Sequence, residues 1–448
     1  MTDRNEDKDR PDDENNPFGD MFAMFFGPDG KPAGQMPGGM PFDPAMLGGF
    51  MQNLQNMMGA QAGPDTVIRA ATGHIPTPDP TVSTEQTKLV EEAFRLAELW
   101  LGQVIDSPAT SFNGRAFNRR TWVEQTAAGW LELTDAVKTN MTSALTRSLG
   151  AQVPEEMRGF LAGAQQIFGS MGAQMFATQL GQALGNLSGS VLTGTEYGLP
   201  VTADGAPALI AVNLPGAAAS MGVDDEQLRL YLAVMELAHI WLYSRAPYLA
   251  GHISTVLAKY ASNIEVDLDG LQNLAGDIDP GNFDPAKIQE ISEQIGGNLF
   301  RPQDNPAQRD ALESLDVLLS TIAGWVEVVT YEACKDLPQR DLLRAGIRER
   351  LSMTSTADQA FEDLLGLRLQ PTRIKDASTL FGYLQQTEGA AARDAVFTHL
   401  DDLPQQADLD DPLGYRERRT AGWEGDADFD AALYRLLDEE GGGEGRAK

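Results

Sequence analysis

Residues 225–244 read DEQLRLYLAVMELAHIWLYS, and this stretch decides the fold class. Asp224 precedes it and Gln227 follows three positions later, a pattern that caps a helix start. Leu228, Leu232, Met235, His239 and Leu242 then recur at helical spacing and share one face. Pro247 ends the helix. Working outward, Ser83 and Gln86 form a second capping signature, with Leu89, Ala93, Leu96 and Trp100 behind it at the same period. Further helices are predicted over 121–149, 157–187, 250–262, 284–295, 307–334, 339–350, 357–365 and 376–387. The 157–187 stretch is rich in Ala, Gln and Gly, and its small residues allow close packing against a neighbour. Residues 208–214 (ALIAVNL) read as a strand followed by a Pro-Gly turn. The expected fold is mainly α, a helical domain over 65–413 with one small β element.

The ends of the chain differ from this domain. Residues 1–64 open with an acidic head and continue as a Gly/Pro/Met-rich stretch. Nine of the 16 methionines lie within the first 58 residues. Gly and Pro at that density interrupt helices and strands, so a disordered arm is expected, with Met21–Phe26 as its adhesive part. Residues 414–448 form an acidic tail carrying a short amphipathic helix at 429–437. With 34 Lys+Arg against 65 Asp+Glu, the net charge is −31, which argues against nucleic-acid partners and anionic membrane surfaces. The head resembles no secretory signal and no run of apolar residues is long enough to span a bilayer, so a cytoplasmic location is expected. The single cysteine, Cys334, excludes an intrachain disulfide framework and cysteine-rich metal sites; it reads as a buried thiol. The four histidines are His74, His239, His252 and His399.

The chemistry is concentrated in Met235-Glu236-Leu237-Ala238-His239. In the helical pattern His-Glu-x-x-His, two histidines four apart bind one zinc and the Glu activates the metal-bound water. Here the Glu and the second His are present, and Met235 stands at the first His. A buried histidine beside a solvent-facing Glu is the plainer account of the pentapeptide taken alone.

Seven stretches bear on that choice: FRLAELWL (94–101), WVEQTAAGW (122–130), VLTGTEYGLP (191–200), LRLYLAVMELAHIWLYSRAPYL (228–249), IAGWVEVV (322–329), FEDLLGLRLQPTRIKDA (361–377) and DAVFTHLDDLP (394–404). In order and spacing they resemble the actinobacterial zincin-like metallopeptidase family, whose members are labelled hydrolases or zinc-dependent metalloproteases. The resemblance runs from about residue 85 to about 413. It implies a mainly helical zincin fold with a metal site between the 228–245 helix and a later one. Glu236 then matches the general-base position and His239 the second metal ligand. Met235 stands at the first ligand position and Ala323 at the third, where another branch of the family carries an acid.

Catalytic zinc takes three protein ligands and an open position for water. A thioether suits Cu(I) better than Zn²⁺, and Ala323 has no donor atom. On this reading Glu236 is a base with nothing to activate, and no cofactor is expected. Substitute ligands would be Glu327, one turn after Ala323, and His252, which lies beyond the helix break. Without a metal role, Glu327 reads as a surface acid. Three functions remain open. The first is a non-catalytic peptide- or protein-binding protein, with strand 208–214 pairing an extended peptide. The second is a metal-dependent peptidase with a rebuilt zinc site. The third is a helical scaffold recruiting partners through the arm.

Overall fold

A computed structural model describes residues 62–105, 113–140, 143, 158–262 and 305–420, with the backbone alone at 158–168 and 171. Residues 1–61 of the arm, the 284–295 helix and the 429–437 helix lie outside these residues.

The helix starts follow local chemistry. In α1 (Pro64–Thr72) proline occupies the first turn, where no N–H is needed. In α2 (Thr84–Leu101) Ser83 and Gln86 close the reciprocal capping box read from sequence. A short strand, β1 (Arg115–Phe117), leads into α3 (Arg119–Leu133), which starts with the Asn118 side chain accepting from Thr121 N–H. The long helix α4 (Arg158–Leu187) lies against α1. A Cβ added at Gly181 would sit 2.3 Å from the Val67 carbonyl oxygen, so the small residues of α4 do set the approach of the two helices.

The strand expected over 208–214 is shorter. Only β2 (Ala208–Ile210) is extended, and Leu214 already begins α5 (Leu214–Met221). Pro215 and Gly216 therefore form the first turn of a helix and not a connecting turn, since proline has the φ that a first turn requires. β2 pairs in parallel with β1, with Ala116 opposite Leu209. On its other side Gly194 N–H donates to the Ala208 carbonyl and Ile210 N–H to the Leu192 carbonyl. Both edges are taken, so the expectation that this strand lends a free edge to a peptide is not met.

The decisive helix is α6 (Asp225–Arg245), capped by Asp224, which accepts from the N–H groups of Glu226 and Gln227. The Gln227 side chain does not turn back to complete the box. It accepts from Gln339 N–H, and the Gln339 side chain accepts from Asp224 N–H, so the cap is finished across the fold. Three more helices complete the surroundings of α6: α7 (Tyr248–Ser262), α8 (Pro306–Ala333) and α9 (Arg340–Ser352). They are followed by α10 (Thr356–Leu365), α11 (Ile374–Glu388), α12 (Ala390–Ala395) and α13 (Gln406–Asp410).

The core is centred on α6 and α8. Trp241 of α6 stacks on Trp325 of α8 with ring centroids 5.4 Å apart. Trp325 also meets Phe397 edge-on, and its indole N–H donates to Asp394. Leu228, Leu232 and Leu242 of α6 are buried, as are Leu318, Leu319 and Ile322 of α8. Side chains this closely packed hold the two helices in register. α6 packs against α2, α5, α8 and β2, and burial around nearly its whole circumference follows from that.

Candidate functional site

Met235 and His239 lie one helical turn apart on the same face of α6. That face is one wall of a cleft. Ala323, Val326, Glu327 and Thr330 of α8 form a second wall, and Arg344, Ile347, Arg348, Arg350 and Leu351 of α9 form a third. Residues 192, 193 and 195–198 and the turn at Pro371 complete it, leaving about 60 Å³ in which the centre of a water-sized sphere fits. The fold thus brings Met235, His239, Ala323 and Glu327 into one cleft. His252 is not in the cleft wall; it sits half-buried on α7.

Glu236 is not in the wall either. One residue along an α-helix rotates the side chain by about 100°, and this carries Glu236 toward β2. It is fully buried, which overturns the solvent-facing account. Its carboxylate accepts from Thr195 N–H at 3.2 Å, from the Thr195 hydroxyl at 2.5 Å and from Ala208 N–H at 3.2 Å. Burial pushes its pKa up to about 7, against the opposing pull of these hydrogen bonds. A Cβ at position 194 would lie 2.8 Å from Oε1, so Gly194 is what lets the backbone close over the carboxylate.

His239 is 6% exposed. Its Nδ1 is 3.0 Å from the Met235 carbonyl, which can only accept, so Nδ1 carries the proton and Nε2 presents a lone pair. Burial lowers its pKa to about 4, and the imidazole is neutral at physiological pH. Nε2 lies against Gly198, where an added Cβ would be 2.9 Å away. Gly198 has φ +74° and the preceding Tyr197 has φ 58°, so two successive left-handed residues turn the chain over His239. The Tyr197 hydroxyl bonds to Asp358, and Tyr243 donates to the Gly198 carbonyl at 2.6 Å. These contacts fix the turn in place.

Glu327 is 9% exposed and not the surface acid its position suggested. Arg344 meets its carboxylate at 2.6 Å, Arg348 pairs with both of its oxygens, and the Ser378 hydroxyl donates to it at 3.1 Å. Arg350 pairs with buried Glu196 at 2.7 Å. Burial raises the Glu196 pKa while Arg350 works against that rise. Cys334 is buried at the end of α8, and burial pushes its thiol up to about 12; it is a packing residue and not a nucleophile.

The donor set does not fit a catalytic zinc. His239 Nε2 is available, Met235 offers a thioether and Ala323 offers nothing. Glu327 already neutralises arginines. Among the described residues, no group of three or more His, Cys, Asp and Glu side chains is placed to hold a metal ion. The wall's three guanidiniums outnumber its two carboxylates, Glu327 and Glu196, so the net charge of the lining is positive where Zn²⁺ would sit.

The sequence reading missed Arg344, Arg348 and Arg350, along with Thr195 and Thr330. A signal for the first two was present: Arg344, Ile347, Arg348 and Leu351 follow i, i+3, i+4, i+7 spacing, which puts two bases on the apolar face of an amphipathic helix.

The family model described as zincin-like metallopeptidase matches residues 56–415. No curated protein matches the chain significantly. Among solved structures, the chain is similar to one from Chloroflexus aurantiacus described as "a putative hydrolase with a novel fold". The identity is 16% and the TM-score 0.51, over 80% of this chain and 98% of that one, a likeness of fold alone. No helix among the described residues is long and apolar enough to cross a membrane.

Proposed function

From the premise that this chain belongs to the zincin-like metallopeptidase family, we propose that it is a non-catalytic member whose cleft binds a peptide or protein segment. The observation that carries this reading is the position of Glu236. In the family pattern this residue activates a metal-bound water. Here it is sealed beneath Thr195 and Ala208, and all of its partners are protein donors. Met235 and Ala323, which the family resemblance assigns to metal-ligand positions, offer a thioether and a methyl group to a cleft walled by apolar side chains and arginines. With the strand edge occupied, binding falls to the cleft.

The competing reading is a hydrolase with a rebuilt metal site, and the His239 Nε2 lone pair is the observation in its favour. Metal content decides between them. Protein purified without a histidine tag and dialysed against a weak chelator is measured by mass spectrometry. We expect no stoichiometric zinc. About one zinc per chain, lost on His239→Ala, would mean that a metal site is rebuilt around His239 and would overturn the dismantled-site reading.

A further inference from the structure

We propose that the cleft recognises a ligand with a single carboxylate on an apolar body, the carboxylate being held by Arg344, Arg348 and Thr330. This rests on the reading that the cleft is a binding site and deepens it.

The first observation is a charge imbalance. Arg344 and Arg348 share one carboxylate, that of Glu327. Two guanidiniums carry about ten N–H donors, whereas one carboxylate accepts about four hydrogen bonds. Arg350 and Glu196 form a separate pair. The wall therefore holds one positive charge more than its acids balance, in a chain whose net charge is −31. The planar fork of arginine matches a carboxylate in shape and charge.

The second observation is independent of the first. The Thr330 hydroxyl is buried and has no hydrogen-bond partner in the protein, although Thr330 is a wall residue of the same cleft, one turn along α8 from Val326 and close in sequence to Glu327. Most buried polar groups in folded proteins have a partner, so this hydroxyl beside the cleft has hydrogen-bonding capacity that the protein itself leaves unused.

The third observation is the remainder of the wall. Leu192, Val326, Ile347, Leu351 and Ile374 are apolar. A phosphate or sulfate would gain nothing from these side chains and would bring more charge than the one unbalanced guanidinium offsets. An apolar group bearing one carboxylate satisfies both parts of the wall. A peptide ending in an apolar residue and a free alkyl carboxylate share this chemistry.

The test is isothermal titration of the full chain with four probes: an N-acetylated tetrapeptide ending in Leu as the free acid, the same peptide as the C-terminal amide, octanoate and octanol. We expect the free-acid peptide or octanoate to bind and to identify the source, with the uncharged counterpart (the amide, or octanol) at least tenfold weaker. Arg348→Met removes the unbalanced guanidinium while Arg344 still pairs with Glu327, and should lower affinity for the acid at least tenfold, while Thr330→Val lowers it severalfold. Equal binding of acid and amide, lost on Ile347→Asp, would overturn the carboxylate inference and leave the cleft reading standing. No binding of any probe by the folded wild-type chain would overturn this inference; the cleft reading would then be judged by the metal measurement. The comparison of acid with amide needs no variant, so a misfolded mutant does not affect it.

Discussion

The carboxylate of Glu236 holds both hydrogen-bond donors of Thr195, the backbone N–H at 3.2 Å and the hydroxyl at 2.5 Å, across 41 residues of sequence. With Ala208 N–H as a third donor, this side chain ties α6 to the turn that covers it and to β2. A residue type associated with activating water is here a structural tie, because the helix turns it away from the cleft and the backbone closes over it.

Glu236→Ala leaves two buried N–H groups without acceptors. Each such group costs roughly 1–3 kcal/mol, so the variant should lose about 3 kcal/mol of stability, measured as a shift in urea midpoint with an unchanged slope. A variant as stable as the wild type would show that Glu236 is not a tie.

Stability should also report the Glu236 and His239 titrations. The folded Glu236 pKa is about 7 against an ordinary 4.5, so the folded chain holds a proton that the unfolded chain has released, and this contribution falls as pH rises through that window. The folded His239 pKa is about 4 against 6.5, so its contribution is present above 6.5 and is lost as pH falls toward 4. Between pH 4.5 and 6.5 the two oppose each other and nearly cancel. Relative to wild type, Glu236→Gln should therefore lose about 3 kcal/mol on acidification across this range, and His239→Leu should lose a similar amount as pH is raised. Denaturation curves at four pH values check this. Parallel profiles for all three proteins would refute it.

Installing ligands at Met235 and Ala323 tests the proposal that these are the positions the family pattern gives to metal ligands. Met235→His with Ala323→Glu places two new donors in the wall that already holds the His239 Nε2 lone pair. The double variant should take up one zinc per chain and gain about 4 kcal/mol when free zinc is a thousandfold above the dissociation constant. Failure to bind zinc while folded would refute the assignment of Met235 and Ala323 together to metal-ligand positions.

Gly198→Ala should be destabilising by about 2 kcal/mol, because a left-handed backbone disfavours a Cβ and the Cβ would crowd His239 Nε2 at 2.9 Å. Gly205, also left-handed but with open space around its Cα, should tolerate alanine better by the difference that the crowding makes. Thermal unfolding of the two variants side by side isolates this difference.

The helices were legible because their signals are local. Ser83 with Gln86, Asp224 and the 3.6-residue apolar period each act within a few residues of one chain segment, and α2, α6, α7, α8, α9, α10 and α11 begin and end close to where those signals place them. β1 was not legible: Arg-Ala-Phe is too short to show alternation, and it is extended only because β2, more than ninety residues later, supplies its hydrogen bonds. The Gln339 completion of the α6 cap has the same character, joining positions 112 and 115 residues apart.

The amino-acid sequence by itself determined the helical class and the position of α6, and it set the chemistry of Met235 and Ala323, a thioether and a methyl group in any fold. It did not determine what surrounds them. That Glu236 is sealed, that Glu327 is held by two arginines, and that Thr330 is left without a partner depend on side chains from distant segments meeting in a buried, low-dielectric space. There, burial and pairing govern protonation and availability far more than residue type does.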